Sequence, residues 1–400
     1  MIADPGPFDA GVRPRIAVTL ELPDAPYPDW FKFRELGDSL GVIVARFDDY
    51  QFLGVQSVIG KDEPKPFSNI DYQVIVTAYR RGDSVRFFLK LISKSTGSVI
   101  WSTERLFERP DTLSGRNVPD IIGRGYSPVA SPYGVLYANL SRSASQRNGL
   151  SCVIAAYKYF YSKSSEKHAQ ARACAESMVE RGTRLQSVYS VLAFLYLDEF
   201  RENRNPRTRD PLKAATQAAR RAVELGPQSA RAHQALFATH KVQGNRAQAR
   251  KAAEKAVALN PYDADIIGDY AAWLISIGDI KKGREYLTRV EGMLDARPAW
   301  LDFYRFLGAE LSREFDSAQD ISRMMDMKRS PLLAVAVAIG AHSRGDNLEA
   351  QRALKELIRV EPGFQTAPMR HFLNRGFDEK IARGLVERLN LAGLDRISLP

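Results

Sequence analysis

The chain has 400 residues, 44% of them hydrophobic and 26% charged, with a net charge of +10; this suffices for two or three packed domains and excludes a disordered tail. Its 57 basic and 47 acidic residues are spread along the whole length, as on a solvated surface and not a polybasic arm, so direct nucleic-acid binding is not expected. Two cysteines and five scattered histidines exclude a disulfide-rich scaffold and supply no HExxH or His/Cys cluster, so no metal or other cofactor is expected.

Residues 1–14 lack the charged and apolar regions of a signal peptide, so they read as a linker and the chain as a fragment of a longer protein. Residues 15–108 have the rhythm of a small α/β domain. Arg15–Leu22 predicts a strand, Trp30–Phe47 a helix through Phe33, Leu36, Leu40, Ile43 and Val44, and Phe52–Ile59 a second strand. Tyr72–Tyr79, Val85–Ile92 and Val99–Phe107 then predict an antiparallel meander, its turns at Arg80-Arg-Gly-Asp83 and Ser93–Gly97. Residues 109–144, rich in Pro, Gly, Asp and Arg up to Ser131, read as an irregular crossover segment. Within it Ile122-Gly-Arg-Gly-Tyr126 lacks the lysine of a phosphate loop and reads as a turn.

From residue 145 to 400 the chain repeats. Ala222-Val-Glu-Leu-Gly-Pro227 is followed 34 residues later by Ala256-Val-Ala-Leu-Asn-Pro261, and Leu357-Ile-Arg-Val-Glu-Pro362 follows after 101 more. A 34-residue step is the tetratricopeptide period. Leu236, Gly244, Ala249, Ala256 and Pro261 fill the motif's leucine, turn-glycine, small-residue and proline positions, and Val337, Gly345, Ala350, Leu357 and Pro362 repeat them. Small residues let two antiparallel helices approach, glycine ends the first helix and proline stops the second. Weaker units fill the intervals, and a capping helix is expected over Asp378–Leu394, with Ile381, Leu385, Leu389 and Leu391 apolar. The fold class expected is α+β, a small α/β domain followed by an all-α tetratricopeptide solenoid of five to six helix pairs. The longest nearly apolar run, Pro331–His342, is too short to span a bilayer.

The first strand, Asp71–Asp83, Val85–Ile92 and Ser95-Thr-Gly-Ser-Val-Ile-Trp101 resemble the TolB-like domain that precedes tetratricopeptide repeats in bacterial regulators. Pro132-Tyr-Gly-Val135 and the Cys152/Cys174 pair resemble the same group. The Asn-Leu-Ser-Gly loop usual after the first strand is replaced here by Pro23–Pro28. The resemblance implies a non-enzymatic sensory and protein-interaction module that biases an output domain N-terminal to residue 1. That domain would be either the winged helix of a CadC-like transcription activator or a class III nucleotide cyclase. In the first case the fragment is periplasmic, the location favoured; in the second it is cytoplasmic. The alternative is a free-standing repeat scaffold or adaptor with no signalling output, and a homodimer is compatible with either.

No nucleophile with a base, and no carboxylate pair of readable geometry, points to an enzyme. Cys152 and Cys174 flank a turn near Tyr161–Lys167 whose midpoint is residue 163, so a hairpin could set them opposite each other. They are either small buried thiols or a disulfide that implies an oxidising compartment. Arg201, Arg204, Arg207 and Arg209 form a basic loop, either a solvated connection or an anion contact. A protein or peptide partner is expected along the concave face of first helices, where the register places Ser190, Phe194, Arg231, Gln234, Lys241, Asp265, Val335 and Ile339. A groove merely solvated, or filled by the chain's own capping helix, is the competing reading.

Overall fold

The computed structural model describes residues 13–23, 30–59, 67–81, 84–107, 118–132, 134–143, 149–294 and 298–397. The expected linker up to residue 12, most of the Pro23–Pro28 loop, the turn tip at 82–83 and the crossover at 109–117 lie outside these residues.

The chain is mostly helical, with a small N-terminal sheet. Five strands, β1 (Arg15–Leu22), β2 (Gln51–Ile59), β3 (Tyr72–Arg81), β4 (Ser84–Ser93) and β5 (Val99–Phe107), pair in the order β2-β1-β3-β4-β5. β1 is parallel to both neighbours, and β3, β4 and β5 form the expected antiparallel meander. Alternation along β1 sends Ile16, Val18, Leu20 and Leu22 into an apolar core shared with Leu40, Ile43 and Val44 of α1 (Trp30–Val44). α1 lies close on the sheet at Gly41, where a Cβ would stand 2.7 Å from Val55 Cγ2. On the other face of β1 the buried Thr19 hydroxyl accepts from Gln56 and Gln73, at 3.0 and 2.7 Å, so this central position is polar but paired.

The expected irregular crossover is corrected by two helices, α2 (Val118–Ala130) and α3 (Val135–Ser143). The glycine run read as a turn lies inside α2. Gly123 is there because Tyr262 is: a Cβ at 123 would fall 2.0 Å from the tyrosine Cδ1.

Helical hairpins then follow in chain order. They are α4 (Gly149–Ser162) with α5 (Ser165–Glu180), α6 (Gln186–Glu202) with α7 (Pro211–Leu225), and α8 (Ala230–Val242) with α9 (Arg246–Leu259). α10 (Ala264–Ser276) pairs with α11 (Ile280–Glu291), α12 (Trp300–Leu311) with α13 (Phe315–Arg323), and α14 (Pro331–Ser343) with α15 (Asn347–Val360). From α8 onward every first helix ends in the same closure, a backbone bond spanning five residues: Asn245 N to His240 O, Asp279 N to Leu274 O, Glu314 N to Ala309 O and Asp346 N to Ala341 O. The residue before each donor has positive φ, which suits Gly244, Gly278 and Gly345 and strains Arg313 at +61°. α14 is apolar all round because Leu332–Ala341 are buried on every side, which accounts for the run without a membrane. No helix of the described residues is long and apolar enough to cross one.

The chain divides into two compact units. The first comprises residues 1–195, 217–235 and 254–265, so the boundary expected at 144/145 falls inside it. Within this unit Tyr262 joins the core of the sheet, Arg46 donates to Leu259 O at 3.0 Å and Asn260 returns a bond to Arg46 O at 3.1 Å. The second comprises residues 196–216, 236–253 and 266–400. It ends in α16 (Pro368–Leu373) and α17 (Glu379–Leu391), the latter capped by Asp378, which accepts from Lys380 N and Ile381 N. Leu385 and Leu389 are buried as the capping-helix pattern expects, whereas Leu391 is exposed.

Candidate functional site

In the first unit, the loop after α1 carries adjacent carboxylates. Asp48 Oδ2 accepts from Ser229 Oγ (2.9 Å) and Arg231 N (3.0 Å) at the N-terminus of α8, where the helix dipole favours an anion. Burial still outweighs these bonds and the Arg231 charge and, with the neighbouring Asp49, holds the Asp48 carboxyl up at about 6. Asp49 Oδ2 accepts from Tyr137 (2.5 Å) and Tyr157 (2.9 Å), and burial raises both phenols well above their ordinary range.

The 34-residue step explains the rest of this cluster. Arg231 and Asp265 hold the same position in successive hairpins, and their Nη1 and Oδ2 lie 2.6 Å apart. Asp263 pairs with Nη2 at 2.5 Å, and Gln234 bridges Arg231 and Asp265. Arg231 and Gln234 are therefore buried fasteners and not the open groove positions the register assigns them. Among the described residues no group of three or more His, Cys, Asp or Glu side chains could hold a metal ion.

In the second unit, first helices and the C-terminal elements converge on Asn374–Asp378. Gly376 has φ +81°, and a Cβ there would stand 2.4 Å from Lys241 Cγ and 3.0 Å from Lys241 O, so the backbone lies directly on the end of α8. Phe377 is buried against Tyr304 (6.3 Å, stacked), Phe303 (6.2 Å) and Phe372 (5.3 Å). Asp378 N donates to Ser276 O at 2.9 Å and its carboxylate pairs with Arg246 at 2.6 Å. Arg375 points between Glu202 and Glu361, 3.6 Å from each. His371 Nδ1 lies 2.6 Å from Glu361 Oε1, and burial together with the Arg375 charge holds the imidazole down at about 4.

Cations crowd the floor of this site. Burial, reinforced by Arg201 and opposed by Asp269, lowers the Lys241 ammonium to about 8, and its Nζ lies 5.0 Å over the Phe237 ring. Arg201 Nε and Nη2 are buried without a hydrogen-bond partner among the described residues. Beside the segment a cavity of about 340 Å³ is lined by Lys241, Arg246, Trp273, Phe377 and their neighbours.

The remaining expected residues fall as follows. Ser190 is buried and donates to Gln186 O (3.1 Å), and Phe194 packs edge-on to Phe160. Val335 and Ile339 are 0% and 2% exposed inside α14, so burial removes them from any row presented to a partner. Lys241 alone of the expected row lies at the Gly376 site. The basic loop is corrected at two positions: Arg201 belongs to the last turn of α6, and Arg204 pairs with Glu202 at 2.7 Å. Arg207 donates its backbone N–H to Glu199, and Arg209 is exposed. Cys152 and Cys174 form a disulfide between α4 and α5, with Cα atoms 5.3 Å apart. Sequence reasoning missed His371, Phe372, Arg375, Gly376 and Phe377; the signal available was a cluster of aromatics around a glycine beyond the last repeat.

No family model matches the chain, and no curated protein matches it. Among solved structures it is similar to a chain of the crystal structure of the APC/C hetero-tetramer Cut9-Hcn1, with 13% identity and a TM-score of 0.45 over 66% of this chain and 49% of that one. The chain thus spans about half the length of that solved chain. At that score the likeness carries no argument, and the helical-repeat fold rests on the chain's own hairpins.

Proposed function

We propose that this chain is a non-enzymatic, regulatory protein-interaction module of a bacterial signalling or transcription-regulatory protein. It binds a protein or peptide on the second unit and biases an output domain N-terminal to residue 1. The observation that carries this reading is the convergence of α6, α8, α10 and α12, by side chain or backbone, on a short, peptide-like stretch of chain at Arg375–Asp378. The resemblance of the sheet domain to TolB-like domains before tetratricopeptide repeats supplies the regulatory part and the bacterial setting. A periplasmic location goes with a membrane-tethered activator, where the Cys152–Cys174 bridge would persist. The second reading, a repeat scaffold without output, is favoured by one observation: the sheet and parts of several repeats share one compact unit, as a rigid support would.

The test is in-cell cross-linking of the natural gene product, with the cross-linked peptides mapped. A partner joined to α6, α8, α10 or α12, and lost with Glu202→Gln, supports the interaction module. Cross-links confined to the sheet domain, or indifferent to Glu202→Gln, contradict it. The same Glu202→Gln variant then separates the readings: a transcript or cyclic-nucleotide level that changes when the partner is lost supports regulation, and unchanged levels support the scaffold.

A further inference from the structure

The Arg375–Asp378 stretch is held as a bound peptide would be. Its cation faces two carboxylates, its glycine adopts a conformation and a proximity that L side chains reject, its aromatic ring enters an aromatic cup, and its last residue makes one backbone and one ionic bond. Resting on the interaction-module reading, we propose that these residues are an internal stand-in for the partner, whose binding segment carries a basic residue, a glycine, an aromatic and an acidic residue in that order.

Charge fixes the order. Lifting Arg375 away leaves Glu202 with Arg204 (2.7 Å) and Glu361 with His371 (2.6 Å) but removes the guanidinium shared between the two carboxylates, so an incoming chain gains by returning a cation there. At the other end Arg246, which is half exposed, loses Asp378 and calls for an acid. Between them the backbone passes close enough to Lys241 that only glycine fits, and the Tyr304 and Phe303 rings of α12 accept a flat side chain. The stand-in underfills the surface. The cavity of about 340 Å³ alongside Phe377 leaves room for a flanking side chain of the partner. The chain's own segment then competes with every partner, and apparent affinity falls by the fraction of time the site is free.

The probe is a fluorescein-labelled peptide of residues 372–380, Phe-Leu-Asn-Arg-Gly-Phe-Asp-Glu-Lys, titrated into the full chain and followed by anisotropy. Gly376→Val dislodges the internal copy by its φ and its contact with Lys241, and Phe377→Ala does so by emptying the aromatic cup while leaving the glycine in place. Each variant is expected to bind the peptide at least ~10-fold more tightly than the unaltered chain. Adding Glu202→Gln to Phe377→Ala is expected to reverse ~5-fold of that gain. Equal binding by variants and unaltered chain, or a gain indifferent to Glu202→Gln, overturns the proposal. If neither variant folds, as judged by far-ultraviolet circular dichroism, the segment is a structural element and the proposal fails as well. Dimers formed by seating the C-terminal segment in a second copy would assign the surface to self-association and overturn the partner assignment. Because the peptide is the chain's own, failure here leaves the cross-linking result standing, whereas failure there removes the partner and with it this proposal, while the titration still reads whether the segment can be displaced.

Discussion

Gly123→Ala sets two well-known effects against each other. In an exposed helix the substitution stabilises by up to about 1 kcal/mol, because glycine loses more backbone freedom on folding. At position 123 the added methyl would lie 2.0 Å from Tyr262 Cδ1 and 2.5 Å from Cε1 and Cγ, more than 1 Å inside the distance carbon atoms keep (about 3.5 Å). Tyr262 is 8% exposed and part of the sheet domain's core, so its ring cannot swing into solvent without losing that packing. Overpacking of this kind costs about 1–3 kcal/mol, which outweighs the propensity gain, and a net loss of about 1–2 kcal/mol is expected. Urea denaturation followed by circular dichroism reads it. Tyr262→Ala alone is expected to cost on the order of 3 kcal/mol. In its background Gly123→Ala turns stabilising, giving a coupling of about 2 kcal/mol in the double-mutant cycle. A stabilising Gly123→Ala in the unaltered chain, with no coupling to Tyr262, would refute the packing of α2 on the 260–263 turn.

Other outcomes follow from single features. Asp48 has a carboxyl raised from 3.8 to about 6, so its contribution to stability is full below pH 3.8 and is lost as pH rises through 6. Between pH 8 and pH 5 the unaltered chain should gain about 1 kcal/mol over Asp48→Asn in parallel urea melts, and equal slopes would exclude the shift. Opening the Cys152–Cys174 bridge, which closes a 22-residue span, should lower stability by about 3 kcal/mol; alkylation of both thiols in unreduced protein from its native compartment would show that no bridge exists there. Arg313→Gly relieves a left-handed residue at φ +61° and should stabilise by about 0.5 kcal/mol, whereas Gly345→Ala, at +78°, should destabilise by about 1 kcal/mol; the same sign for both in thermal melts would contradict the shared hairpin closure.

What could be read from the residues was whatever repeats or alternates. β1 and β5 begin and end where their patterns do, and Gly244 and Gly345 lie at the turns that the 34-residue step assigns them. α2 was hidden because Gly123, Gly125 and Pro128 make a turn-like composition; the glycine at 123 is accounted for by a tyrosine 139 residues away in sequence, and the helix by Tyr126, Val129 and Ala130, which join the core of the sheet domain. Arg231 and Gln234 looked like groove residues because their spacing is right; stacking the repeats sets Asp265 against both, so the same spacing that suggested a row pairs its members. Arg375–Asp378 follows no period. Its site is assembled from α6, α8, α10 and α12 of the second unit, and no local pattern around Gly376 announces those partners.

The occupied site is tested most directly by residue-resolved amide hydrogen exchange of the full, unliganded chain at Phe377 and Asp378. Their N–H groups bond to Phe372 O at 3.3 Å and Ser276 O at 2.9 Å, so exchange slowed at least ~100-fold relative to an unstructured peptide is expected at both, and addition of a bound partner should release the protection at Asp378. Exchange at the unprotected rate in the free chain, or protection at Asp378 untouched by a partner that binds, would contradict a partner site held by the chain's own segment.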